Sequence, residues 1–110
     1  KVKIYRCGDN YCGKIIWSEN PNDENGQPKL DFKNPSQTKR HQPVMGLQFI
    51  NDFNFDTATG EWKDGTIYNV QDGRTYSAYM NLLDDNTLKL TGYVLGMRWL
   101  GQTVTWTRVK

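Results

Sequence analysis

Histidine occurs once, cysteine twice and proline four times in the 110 residues. The single His41 has no serine or cysteine motif placed to use it, so an ordinary surface histidine is expected. Gly-x-Ser-x-Gly, His-Glu-x-x-His and phosphate-loop patterns are all missing. The sequence therefore argues for no enzyme, no cofactor and no metal. No apolar run reaches the length of a membrane span. Nor is there a block of one charge: Lys and Arg number 14, Asp and Glu 12, and they are interspersed for a net +2. That balance argues against a nucleic-acid or anionic-membrane partner. No secretory leader is visible, yet the chain opens at Lys1 directly on a strand pattern, and an upstream segment is expected to precede it.

What the chain does have is aromatic residues, at 13%, against a modest 36% apolar content and a mean hydropathy of -0.79. Large rings let a small apolar fraction build one core. A single domain over 1–110 is expected.

Cys7 and Cys12 flank the turn-rich Gly8-Asp9-Asn10-Tyr11. A hairpin with that four-residue loop sets them opposite each other, within reach of a disulfide. Free thiols or a redox pair are the alternatives, and the spacing fits no common zinc motif. A disulfide implies an oxidising compartment, hence a periplasmic or secreted protein. Asn20, Asn22, Asp23, Glu24 and Asn25 precede Gly26, but their oxygens miss the register of a calcium loop. Asp23, Glu24, Asp31, Glu61 and Asp64 fall in loops or at strand ends, where solvated carboxylates are ordinary.

Apolar alternation at period two marks the strands. Lys1–Cys7 and Cys12–Trp17 form the first hairpin. Ser18–Pro43 interrupts the pattern, holds all four prolines, and has no strand. Asn34-Pro35 there is placed to cap a short helix over Ser36–Arg40. Met45, Leu47, Phe49, Phe53 and Phe55 share a strand with a bulge near Asn51. Trp62–Val70 follows, bent at Gly65, and Asp72-Gly73 is a strong hairpin turn. Tyr76, Ala78, Met80 and Leu82 line one face of the next strand. Leu88 and Leu90 alternate within Thr87–Tyr93, and Val104 and Trp106 within Gln102–Val109. Seven strands joined mostly by tight turns predict an all-β, antiparallel up-and-down meander closing into a barrel, with a β-sandwich as the alternative.

The expected inward face, and with it the expected cavity lining, is Ile4, Ile15, Trp17, Leu47, Phe49, Phe53, Tyr76, Met80, Leu88, Leu90 and Trp106. Gly46, Ala78 and Gly92 leave space among the rings. A barrel of this size either fills with side chains or holds one small ligand.

A series of segments resembles one bacterial family of exported, lipocalin-like proteins, domain of unknown function 2147. They are Tyr5-Arg6-Cys7-Gly8, Cys12-Gly13-Lys14-Ile15-Ile16-Trp17, Asp31-Phe32-Lys33-Asn34-Pro35 and Pro43-Val44-Met45-Gly46-Leu47. Asp64-Gly65-Thr66-Ile67-Tyr68, Asp72-Gly73-Arg74-Thr75-Tyr76, Leu88–Tyr93 and Leu100–Arg108 follow in order. The resemblance implies a lipocalin-like barrel with an eighth, first strand carrying Gly-x-Trp, which this sequence lacks. It also implies a structural role for Arg108, packed across that tryptophan to close one end.

On this reading the chain is a binding protein for a small apolar molecule, partly covered by the Ser18–Pro43 loop. The alternatives are a filled barrel that self-associates, as a homodimer, through an exposed edge, and a sugar-binding module using Trp62 or Trp99. Fold alone does not choose among them.

Overall fold

A computed structural model describes residues 1–93 and 101–109. The strands are β1 (Val2–Cys7), β2 (Asn10–Ile15), β3 (Gln48–Asp56), β4 (Glu61–Asn69), β5 (Arg74–Asp84), β6 (Thr87–Tyr93) and β7 (Gln102–Thr107). They form one antiparallel sheet in the order β1-β2-β3-β4-β5-β6-β7, each strand beside its neighbour in sequence. The fold is all-β, as the alternation predicts. Among the described residues β1 and β7 do not pair, so the sheet curls into an open half-barrel.

Where a strand alternates without interruption, the register is simple. Ala78↔Gly92, Met80↔Leu90 and Leu82↔Leu88 stack across β5 and β6, and Leu90↔Val104 and Leu88↔Trp106 carry the same face onto β7. The other half bends. Pairing of β2 with β3 slips between Tyr11↔Phe53 and Gly13↔Ile50, and pairing of β4 with β5 slips between Trp62↔Met80 and Gly65↔Ala78. Each slip holds an aspartate at positive φ, Asp52 at 65° and Asp64 at 61°. Asp tolerates that conformation better than most side chains, and a bulge increases local twist and bends the strand. The two aspartates thus mark where the sheet curls.

The curl brings Ile50, Phe53, Ala78, Met80 and Leu90 together as the buried core. Burying each of the larger side chains contributes about 1.5–3 kcal/mol. Ile50 is absent from the expected inward set. A second slip, between Gly13↔Ile50 and Lys14↔Gln48, leaves Phe49 and Ile50 both on the inner side, where simple alternation allows only one.

The hairpin turn between β1 and β2 is tighter than expected. Cys7 pairs with Asn10 and Cys12 with Tyr5, so the loop is Gly8-Asp9, with Gly8 at φ 68°. The cysteines are diagonal rather than directly opposite. The disulfide still forms, with a Cα–Cα separation of 5.9 Å.

Candidate functional site

The concave face of the half-barrel carries two cavities. The larger, about 960 Å³, lies between β1 and β7, with Val2 and Ile4 on one side, Trp106 on the other, and Trp62, Met80 and Leu88 on its wall. The smaller, about 640 Å³, lies toward the β4–β5 turn and is walled by Ile15, Phe49, Ile67, Tyr76, Leu90 and Trp106. Trp106 belongs to both, and Phe49 meets it edge-on at 6.4 Å between ring centroids. The interior is therefore filled at its centre and open on both sides of that ring pair.

Of the eleven residues expected to line the interior, eight do so. Ile4, Met80, Leu88 and Trp106 line the larger cavity, and Ile15, Phe49, Tyr76, Leu90 and again Trp106 the smaller. Three are corrected. Phe53 is wholly buried in the core beneath the cavities. Trp17 lies beyond the end of β2 and is 51% exposed, under the Lys1 ammonium at 5.3 Å. Leu47 precedes β3, where its backbone bonds the end of β2, with Ile15 N–H donating to its carbonyl at 3.1 Å. Both strands stop before the alternation does. Gly46 leaves no space inside either, because it is an exposed turn residue at φ 85°.

The long loop between β2 and β3 is tied to the rim of the smaller cavity. Its anchor is Asp31, expected as a solvated carboxylate but only 1% exposed. Its Oδ1 accepts the Tyr68 hydroxyl at 2.7 Å, and its Oδ2 accepts Asn34 Nδ2 at 2.8 Å and Gln42 Nε2 at 2.9 Å. Burial alone pushes the Asp31 carboxyl up. The three donors outweigh it and hold the group below its ordinary value. Tyr68 responds in the opposite sense: burial and the bond to Asp31 push its hydroxyl up to about 12. Tyr68 also lines the smaller cavity.

A second contact seats the same loop. Gly73, at φ 71° in the β4–β5 turn, lies against the Lys33 carbonyl so closely that a Cβ would overlap it. Inside the loop, Asp31 N–H donates to Gln42 and Val44 N–H to Lys29, around an isolated bridge of Leu30 with Pro43. The expected short helix is a single 3₁₀ turn, Gln37–Lys39. Asn34 does not cap it; its Oδ1 accepts Ser36 N–H at 2.8 Å in a local turn.

The remaining candidates separate cleanly. His41 is exposed. Asp23 Oδ1 accepts the N–H groups of Asn25 and Gln27, so it organises its own turn. Trp62 is no outward platform. It packs against Phe55 at 4.7 Å and edge-on to Tyr11 at 5.9 Å, and its indole nitrogen is buried without a hydrogen-bond partner. Trp99 lies outside the described residues. Arg108 follows β7, exposed on the rim of the larger cavity, where its N–H donates to Asn86 at 2.7 Å. The closing contact with a tryptophan implied for it is not made among the described residues.

Comparisons with known proteins agree with this architecture. A solved structure described as "Protein HP1028 from the human pathogen Helicobacter pylori belongs to the lipocalin family" superposes with a TM-score of 0.82 at 24% identity, over 99% of this chain and 71% of that one. At that identity the likeness concerns the fold. A search of curated proteins found no match. The model of a family described as "Uncharacterized protein conserved in bacteria (DUF2147)" matches residues 1–108. With nearly every residue of the lipocalin-like half-barrel inside that match, the chain belongs to the DUF2147 family.

Proposed function

We propose that the chain is an exported binding protein, without catalytic activity, whose concave face holds a small apolar molecule. The observation that carries this reading is the pair of cavities, about 960 and 640 Å³, that meet at Trp106 on one apolar wall. Volumes of this size suit a small organic ligand. The loop anchored through Asp31 and Tyr68 borders the smaller cavity and gives it a fixed rim. The Cys7–Cys12 disulfide supports a periplasmic or secreted location. Native mass spectrometry of material purified from the natural host tests the reading. A co-purifying small molecule that leaves on denaturation is expected. A bare chain that also takes up no apolar fluorescent probe counts against it.

A second reading has its own observation. Among the described residues β1 and β7 each pair on one side only, and a strand edge of that kind invites another strand. Self-association through these edges would give a homodimer, visible as a doubled mass in the same measurement.

A further inference from the structure

We propose that docking of the β2–β3 loop is coupled to occupancy of the smaller cavity, with Asp31 as the positioning residue that links the two through Tyr68. This rests on the reading of the concave face as a binding site. The observation is where the loop is fastened. The Tyr68 hydroxyl donates to Asp31 Oδ1 at 2.7 Å, and the Lys33 carbonyl lies against Gly73. Tyr68 lines the smaller cavity, as do Asn69, Gln71 and Asp72, which lead up to Gly73. Both fastenings therefore end on the cavity wall or beside it.

The loop is held by polar contacts rather than by an apolar core. Its buried side chains are those of Asp31 and Asn34, whereas Phe32 is 65% exposed and residues 19–29 are exposed throughout. A segment that buries few apolar groups opens at low cost, well below that of global unfolding. The loop is also folded on itself. Lys29 N–H donates to Pro21 at 3.0 Å, Val44 N–H to Lys29 at 2.9 Å, and Arg40 Nε to the Asn34 carbonyl at 2.7 Å. These bonds need nothing from the sheet, so the loop can leave and return as one piece.

On the sheet side, the turn is stiff. Gly73 N–H donates to the Asn69 carbonyl at 2.8 Å, Gln71 N–H to Asn69 Oδ1 at 2.9 Å, and Arg74 N–H to Asp72 Oδ1 at 2.9 Å. Pressure of Lys33 on Gly73 is thereby carried to residues of the wall. Asp31 holds the far end of the Tyr68 ring in the same way. A ligand packed against that ring favours the ring position that Asp31 accepts. Such coupling is reciprocal: the docked loop favours the ligand as much as the ligand favours the docked loop.

Hydrogen exchange over residues 29–44, with and without the neutral fluorescent probe pyrene, tests the coupling on the unaltered protein. Bound pyrene is expected to slow exchange there at least about fivefold. Asp31→Ala and Tyr68→Phe should each speed exchange of the loop and weaken pyrene binding at least about fivefold, although Asp31 is not among the residues lining the cavity. The double variant should bind no more than about twofold more weakly than the poorer single one, because both changes break one link. If Asp31→Ala does not fold, Tyr68→Phe and the unaltered protein decide alone. A merely structural anchor would speed exchange in the variants and leave pyrene affinity as it was. Pyrene binding that leaves loop exchange unchanged, or affinity unaltered in the folded variants, overturns this inference and leaves the binding-protein reading standing. No uptake of pyrene by the unaltered protein removes both.

Discussion

The ring of Phe53 lies against Gly65, so close that a Cβ there would overlap the ring. Phe53 fills the centre of the core, and the slip that carries Asp64 at positive φ brings Gly65 beneath it. Gly65→Ala must push Phe53 out of its place or straighten β4. The expected cost is about 1–3 kcal/mol, as for other overpacked cores. Phe53→Ala removes the overlapping ring atoms, so Gly65→Ala should cost at least about 1 kcal/mol less in that background. Denaturant unfolding of the four proteins measures the coupling, and additive effects would show that the two residues do not constrain each other.

Asp31 and Tyr68 set the pH range over which the loop stays docked. The Asp31 carboxyl is held below its ordinary value in the folded chain. Its contribution is therefore present above the unfolded value, about 3.9, and is lost as pH falls through the lower folded value. Tyr68 is raised to about 12. Its contribution is full below the unfolded value, about 10, and disappears as pH climbs through the folded one. Tyr68→Phe should cost about 0.5–2 kcal/mol near neutrality and flatten the alkaline limb of the stability curve. Melting temperatures measured from pH 3 to pH 11 check this, and an unchanged alkaline limb in the variant would refute the assignment.

The disulfide closes a very short loop, so its stabilisation is modest. Changing both Cys7 and Cys12 to Ser should cost about 2 kcal/mol by chain entropy while leaving the hairpin in place. Thiol titration of denatured, unreduced protein should find no free thiol. Two titrating thiols per chain would also remove the support for an oxidising compartment.

Two neighbouring side chains on the concave face should respond in opposite ways. Met80 is 1% exposed and belongs to the core as well as the cavity wall, so Met80→Ala should cost about 2–5 kcal/mol. Leu88 is half-buried and faces the larger cavity. Leu88→Trp should fill that space, change stability by no more than about 1 kcal/mol, and reduce uptake of an apolar probe. Full probe binding by a stable Leu88→Trp protein would place the ligand elsewhere.

Legibility followed the regularity of each strand. In β5 and β6 the pleat runs straight, so Tyr76, Met80, Leu88 and Leu90 fall where alternation puts them. In β3 the rule fails twice, once at Phe49-Ile50 and once around Asp52, and the most buried isoleucine was invisible to it. The bulge expected near Asn51 falls at Asp52 and the bend expected at Gly65 falls at Asp64, but nothing in the sequence marks the second slip of β3. Trp17 and Leu47 continue an apolar pattern past the ends of β2 and β3, and nothing in one sequence marks where a strand stops. The Asp31 anchor was hardest to see, because its donors Asn34, Gln42 and Tyr68 lie up to 37 residues away. Its one trace was the Asp31-Phe32-Lys33-Asn34-Pro35 segment, which read as a family signature without a physical role.

Pairing of every strand with its neighbour in sequence also bears on how the chain reaches this state. Four of the six pairings, β1–β2, β3–β4, β4–β5 and β5–β6, are joined by short turns, and hairpins of that kind close in about 1–10 μs. The longest connection is that of β2 with β3, which carries the proline-bearing loop. Closing a longer loop costs more entropy before any contact repays it. The sheet from β3 onward is therefore expected to form first, with the disulfide-bonded β1–β2 hairpin joining it last.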